Sequence, residues 1–360
     1  MISKKTQKIL LFLCIIGIFL VFSGFSGADT EKIFLGFVIK SSVAALQNDN
    51  IDNKNIINLI KNNALKNLIG QSLAVVYTVP ENEVQNKTNK VTKTDNTTQK
   101  ETDKGIPKGI LETTIKKGSK LTCGIPINNE TDYTIDNIGQ PQMKFSGNGP
   151  LVLIVHTHTS ESYRPSEAYN YQPTDTDRTE DLDFTVAKVG NVLAKTLEDK
   201  GIKTIHDSTI NDYPSYSGSY RKSLELMQKY LKQYPSIQIV IDLHRDAMVQ
   251  SDGTKISTVC EVDGQKAAQI MIVEGTNGSG LEHPNWKENL SFGAALQKKL
   301  DESYVNLARP LNLRKERFNG QVSKGHLIVE VGTTGNTLDE ALVSAKALGT
   351  VLANLIQGMQ

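Results

Sequence analysis

Two histidines, His156 and His158, follow directly on the apolar run Leu151 to Val155, and a third, His244, follows the similar run Ile237 to Ile241. A carboxylate, Glu330, is embedded in a further hydrophobic segment, His326-Leu327-Ile328-Val329-Glu330-Val331-Gly332. Neutral imidazoles plus a carboxylate make a three-ligand protein set for zinc that leaves a position for water. Such an ion makes water nucleophilic near neutral pH and polarises a carbonyl, which is hydrolytic chemistry. A further carboxylate can carry the water proton to a leaving nitrogen, and Glu330, held on a strand, suits that task. An unpaired carboxylate inside an apolar strand costs several kcal/mol, so Glu330 needs a proton or a partner, and Arg245 is the competing partner. No local signature such as His-Glu-x-x-His supports the set; it rests on strand ends far apart in sequence.

Those strand ends need a sheet to bring them together. From Leu151 onward the chain alternates short apolar runs with amphipathic stretches: a strand, a helix over Phe184 to Lys200, a strand over Ile202 to His206, a helix over Ser219 to Tyr234, and the strand at Ile237. That alternation is the pattern of crossover-connected parallel strands, whose carboxyl ends form the usual site. Further strands are expected at Lys255 to Val262 and Ala268 to Val273, and a helix over Trp286 to Leu307. Thr337 and Glu340 can form a capping box for a closing helix to about Ile356. The expected fold is therefore α/β, a central, mostly parallel twisted sheet flanked by helices. The polar region Ser162 to Thr179 is long for a simple connection and reads as a loop lining the site. His283 reads as a surface or lip residue.

The first half of the chain has another character. Lys4, Lys5 and Lys8 precede an uncharged run from Ile9 to Ala28, which reads as a membrane anchor with its amino terminus inside and the body exported. Ser26-Gly27-Ala28 also fits a cleaved leader. Residues 30–80 form a small juxtamembrane helical region by the spacing of Ile56, Ile57, Ile60, Leu65 and Leu68; 81–105 is a polar tether too poor in apolar residues to order itself. An arm over 106–147 leads to the main domain, 148–360. Charge is balanced, 40 Lys plus Arg against 39 Asp plus Glu, which removes the electrostatic argument for nucleic acid. Cys14, Cys123 and Cys260 have neither disulfide nor metal spacing, so a metal site must use histidine and carboxylate.

The phrases His156-Thr157-His158-Thr159-Ser160-Glu161-Ser162-Tyr163 and Asp242-Leu243-His244-Arg245-Asp246-Ala247, with Tyr216 and Tyr220 between them, closely resemble the stage II sporulation protein P family. The resemblance covers Leu151 to the carboxyl end, and a tethered anchor upstream accords with it. It implies a peptidoglycan hydrolase of the engulfment machinery in endospore formers, with N-acetylmuramoyl-L-alanine amidase and crosslink endopeptidase activity. It places the chain in the septal and engulfing membrane as a single-pass protein with its carboxyl-terminal domain outside. The implied partners are stage II sporulation proteins D and M. More distantly the domain resembles the type 3 zinc amidases. That likeness implies Zn2+ held by His158, Glu180 and His244, with Glu330 of Glu330-Val331-Gly332-Thr333-Thr334-Gly335-Asn336 as the proton carrier. Glu161 and Asp181 compete with Glu180. His156 has no clear counterpart there; two residues before His158, it is expected on the same strand face, where it either hydrogen-bonds a ligand or trades roles with His158. Arg245 is assigned to orient a substrate carboxylate or the carbonyl oxygen, and Tyr163, Tyr213 and Tyr216 to line a groove for glycan and peptide. The competing reading is a membrane-tethered module that binds wall or partners without catalysis.

Overall fold

The computed structural model describes residues 107–359, apart from 119–120, 144, 146–147 and 175. The leader, the juxtamembrane region and the tether lie outside the described residues. Among the described residues no helix is long and apolar enough to cross a membrane.

Among the described residues, ten strands and four α-helices follow in chain order. β1 (Ile110–Thr113) and β2 (Ile127–Asn129) come from the arm. β3 (Val152–Val155), α1 (Val186–Asp199), β4 (Thr204–His206), α2 (Ser219–Gln233) and β5 (Ile239–Asp246) form the alternating unit. Then come β6 (Lys255–Val262), β7 (Gln265–Ala268), β8 (Ile270–Gly275), α3 (Trp286–Ser303), β9 (Leu311–Arg314), β10 (Gly325–Thr333) and α4 (Leu338–Gln357). The main sheet has seven strands in the order β2-β9-β8-β10-β5-β3-β4, and a smaller one has the order β1-β6-β7.

Strands β4, β3, β5 and β10 run parallel, as expected of strands joined by helices. The β8 strand runs against β10, while β9 and β2 run parallel to β8. The reversal has a local cause. After β5 the chain does not cross over; the antiparallel pair β6 and β7 returns it at the carboxyl end of β5, so β8 enters the sheet from that end. The sequence expectation of one strand over Ala268 to Val273 is corrected here. Gln269 interrupts it as a pivot between the two sheets, its side chain bonding both Ile115 backbone groups and the Asn306 carbonyl. The four-residue β9 follows Pro310 and was too short to read from periodicity.

One sheet face carries Ile154, Ile241, Leu243, Leu327, Val329 and Val331 against α1, α3 and α4. The other carries Leu153, Val155 and Val240 against Met227 of α2. Because side chains alternate along a strand, Asp242 and His244 share the α2 face with Val240, and Glu330 shares it with Ile328. The closing helix has the expected capping box, with Thr337 accepting from the Glu340 amide and Glu340 returning the bond.

Candidate functional site

Three chain segments meet at the carboxyl ends of the central strands. The β3 strand stops at Val155, and the chain turns so that the Glu161 amide donates to the His158 carbonyl at 3.1 Å. This turn folds Glu161 back beside His158. β5 delivers Asp242 and His244. β10 delivers Glu330, which stands directly opposite His244 in the parallel register. The turn after Glu330 is locked by Asn336, fully buried, whose Oδ1 accepts from the Thr333 amide at 2.9 Å and whose Nδ2 donates to Glu340 at 2.7 Å. Gly332 within it has φ +72°, and a Cβ there would crowd Ala268 and Asn336, so glycine is required.

The two imidazoles meet edge to face, His158 and His244 having ring centroids 5.3 Å apart. Each has its Nε2 side occupied from outside. His158 Nε2 lies 2.9 Å from the Tyr216 hydroxyl. His244 Nε2 lies 2.9 Å from Asp242 Oδ1, within ion-pair range though off the line of a good hydrogen bond. The Nδ1 sides face inward: His158 Nδ1 is sealed with no partner, and His244 Nδ1 lies 3.4 Å from Glu161 Oε2. Glu161 also faces Arg178 at 3.5 Å.

Burial drives the His158 pKa down to about 4, with Glu161 opposing, so this ring is neutral with a lone pair free. Burial would lower His244 too, but the Asp242 and Glu161 charges outweigh it and hold its pKa well above 6.5. Burial would likewise raise Glu161, yet His244 and then Arg245 keep it ionised far below the ordinary carboxylate range. Asp242, fully buried, is held at about 2 against burial by His244 and by two bonds from Thr157. Glu330 goes the other way. Its Oε2 is buried without a partner, and burial, reinforced by Asp246 and Glu161 against the pull of His244 and Arg309, raises it to about 8.

His158, His244 and Glu330 thus come together, as the sequence suggested, while other expected residues do not. Glu180 lies exposed after the loop, and Glu161 occupies the place beside His244. His156 does not share a strand face with His158, because β3 has already ended; its ring bonds the Leu243 carbonyl at 2.8 Å and His206 at 2.8 Å, bracing the backbone beside His244. Burial, then His206, lowers its pKa to about 3. Arg245 is not aimed at open space and does not pair with Glu330: its guanidinium donates to the carbonyls of Ser162 and Asp177, and it stitches β5 to the 162–177 loop. Tyr163 is buried and donates to the Val331 carbonyl, whereas Tyr213 and Tyr216 are exposed as expected of lip residues. His283 is buried, not at a lip.

Asp242, Arg178, Asp212 and Arg309 were missed. Asp242 had a readable signal, since position 242 lies two residues before His244 on one strand face. Arg178 binds Asp212 at 2.6 Å, and Arg309 binds Asp246 at 2.7 Å; neither contact has a sequence signature.

Among the described residues, no three His, Cys, Asp or Glu side chains are already spread around a common metal position. In kind, the donors fit zinc: two imidazoles with outward Nε2 partners and inward Nδ1 atoms, plus one ionised carboxylate. The sealed, unpartnered His158 Nδ1 is the specific observation in favour.

Solved structures similar to this chain include an N-acetylmuramoyl-L-alanine amidase from Clostridium difficile 630, at 15% identity and TM-score 0.36, covering 59% of this chain and 100% of that one. Another is the catalytic domain of the CwlV N-acetylmuramoyl-L-alanine amidase from Bacillus (Paenibacillus) polymyxa var. colistinus, at 9% identity and TM-score 0.35, covering 58% and 98%. Likeness at that level decides nothing about activity. Among curated proteins, stage II sporulation protein P of Bacillus subtilis (strain 168) is 26% identical over 226 residues, 60% of this chain and 53% of that protein, so the match spans about half the relative's length. The family description "Stage II sporulation protein P" matches residues 40–353, nearly the whole length, and the chain belongs to that family.

Proposed function

We propose that the chain is a zinc-dependent peptidoglycan hydrolase that cleaves the amide between N-acetylmuramic acid and L-alanine, with peptide crosslinks as a second substrate, during endospore engulfment. The observation that carries the reading is the meeting of His158, His244 and Glu330 at the carboxyl ends of β3, β5 and β10, with the His158 Nδ1 and Glu330 Oε2 atoms buried and unpartnered. His158, Glu161 and His244 would hold the ion. When bound, it supplies a nucleophile near neutral pH and polarises the scissile carbonyl. The chain's own groups do the rest. Asp242 supplies a counter-charge beside His244 Nε2, Tyr216 stacks on the His158 ring, and Arg178 steadies Glu161. Glu330 would move the proton: in its ionised form it would accept one from the attacking water and deliver it to the departing amine. Tyr213 and Tyr216 offer aromatic surface at the lip for sugar or peptide. In this proposal the protein is a single-pass membrane protein with its catalytic domain outside, 148–360, and stage II sporulation proteins D and M are its partners.

Purified wall digested by the zinc-loaded chain tests this. Amidase action releases whole peptide stems from the sugar, and endopeptidase action leaves them attached but uncrosslinked, a difference read by mass spectrometry of the products. Intact wall together with tight zinc binding would remove catalysis from the proposal. A second reading is a wall- or partner-binding module without catalysis, which needs neither zinc nor cleavage, so intact wall after digestion favours it.

A further inference from the structure

The sequence offers Arg245 as the cation for a substrate carboxylate, but the fold commits that residue to backbone carbonyls, and Arg309 is buried and bound to Asp246. Arg178 is placed otherwise. It lies in the loop before α1, with its side chain 24% exposed, beside the exposed Tyr216 of the loop before α2. Nη1 donates to Asp212 Oδ2 at 2.6 Å and to the Ser160 hydroxyl at 3.2 Å. Asp212 is itself held, its side chain sealed and accepting from the Ser160 amide and hydroxyl. The guanidinium also lies over the Tyr216 ring, 4.8 Å from its centroid. One edge and one face are thus fixed, so the direction of the fork is set before any ligand arrives.

The other edge is unspent. A guanidinium carries several N–H donors in a planar fork, and those on Nε and Nη2 form no hydrogen bond among the described residues. Nη2 stands 3.5 Å from Glu161 Oε1, which is longer than a hydrogen bond, while the other oxygen, Oε2, faces His244. In the hydrolase reading Glu161 gives its charge to the ion, and Arg178 then lacks the second carboxylate it faces in the metal-free protein. A planar pair of donors, charged and partly exposed, matches the two oxygens of a carboxylate. We propose that Arg178 is the specificity-determining residue that binds a free carboxylate of the stem peptide, on the residue after L-alanine. The assignment rests on the hydrolase reading for its substrate. Two extended residues, roughly 3.5 Å each, reach from a scissile amide held near Glu161 Oε2 to a carboxylate held at Arg178 Nη2. The lactyl group of the sugar has no free carboxylate while it is amidated, so the site also sets the direction of the substrate, with the peptide toward Arg178 and Tyr216.

Two ligands that differ in one group test this: N-acetylmuramoyl-L-alanyl-D-glutamine as the free acid and as its main-chain carboxamide. Each is titrated by calorimetry into the full, zinc-treated chain carrying Glu330→Gln, so that neither is consumed. The free acid should bind about 10- to 100-fold more tightly, the worth of hydrogen bonds between charged partners. Adding Arg178→Gln should bring that ratio close to one, and Arg178→Lys, which keeps the charge and loses the fork, should leave it in between. A defect of folding or of zinc binding weakens both ligands together and does not move the ratio. Equal binding of the two with Arg178 in place, or binding of neither, overturns the proposal, as does a ratio that survives Arg178→Gln. Cleavage by the chain with Glu330 intact is followed separately. If neither ligand is cut while the ratio behaves as stated, the hydrolase reading falls and the carboxylate site stands.

Discussion

Replacing Glu330 with Gln separates what this carboxyl does for chemistry from what it costs the fold. Its pKa stands at about 8 against an ordinary 4.5. A carboxyl whose folded pKa is raised favours the folded state fully below 4.5, and that contribution is lost as pH rises through the folded value. At about 1.4 kcal/mol per pH unit, keeping the proton at pH 7 costs about 3 kcal/mol relative to an unfolded chain that has released it. The amide of Gln needs no proton but still leaves a polar group short of partners, returning about 1 kcal/mol of that gain. Glu330→Gln should therefore be up to about 1 kcal/mol less stable than the wild type at pH 4.5, exceed it by about 2 kcal/mol at pH 7, and hold a constant lead above pH 8. Urea unfolding of metal-free protein across that range measures the difference. The same variant should keep its zinc while losing about 100- to 10,000-fold in hydrolysis, the usual worth of a positioned proton carrier. A stability difference that does not change with pH would refute the burial argument, and undiminished hydrolysis would remove Glu330 from the proposed mechanism.

Glu161→Gln should weaken zinc by more than about 100-fold, since it removes a ligand where even an outer partner costs 10- to 100-fold, whereas Glu180→Gln should leave affinity unchanged; chelator competition compares them. The same Glu161 change leaves His244 and Arg178 short of a counter-charge, so metal-free protein should lose about 3 kcal/mol in urea unfolding at pH 7. Glu274, 1% exposed on β8 with Oε1 unpartnered, has its pKa raised well above 4.5 by burial. Its contribution also falls as pH rises above 4.5, so Glu274→Gln should stabilise the protein by about 1–3 kcal/mol at pH 8 and by little at pH 4.5. The gain should add to that of Glu330→Gln, because the two carboxyls point to opposite sheet faces.

The elements that position the site were largely legible because they obey period rules. Apolar runs ending in His158, His244 and Glu330 marked strand ends, and the Thr337 and Glu340 pair marked the start of α4. What escaped depends on contacts without a period. Glu161 reaches His244 through a tight turn closed by one backbone bond to His158, which nothing in Thr159-Ser160 announces against the alternative at Glu180. Extrapolating strand parity to His156 failed because β3 stops one residue earlier. Arg245 looked like a substrate-orienting cation from its neighbours in sequence, but backbone carbonyls of the 162–177 loop satisfy it. The stacking of Tyr216 on His158 and the Gln269 pivot are tertiary pairings between residues with no regular spacing.

The charge states add a step that no single residue carries. Without metal, His244 is held protonated between Asp242 and Glu161, Glu161 is ionised, and His158 is neutral. A cation entering among them must replace the His244 proton, while Glu161 and His158 have none to give up. Glu330 at about 8 also holds a proton at pH 7, and a dication nearby favours its release. Zinc uptake at pH 7 should then release more protons from the wild type than from Glu330→Gln. Calorimetry in buffers of different ionisation enthalpy counts them. Release of none would mean that His244 enters the site already neutral, and the picture of a proton keeping the cation's place would be wrong.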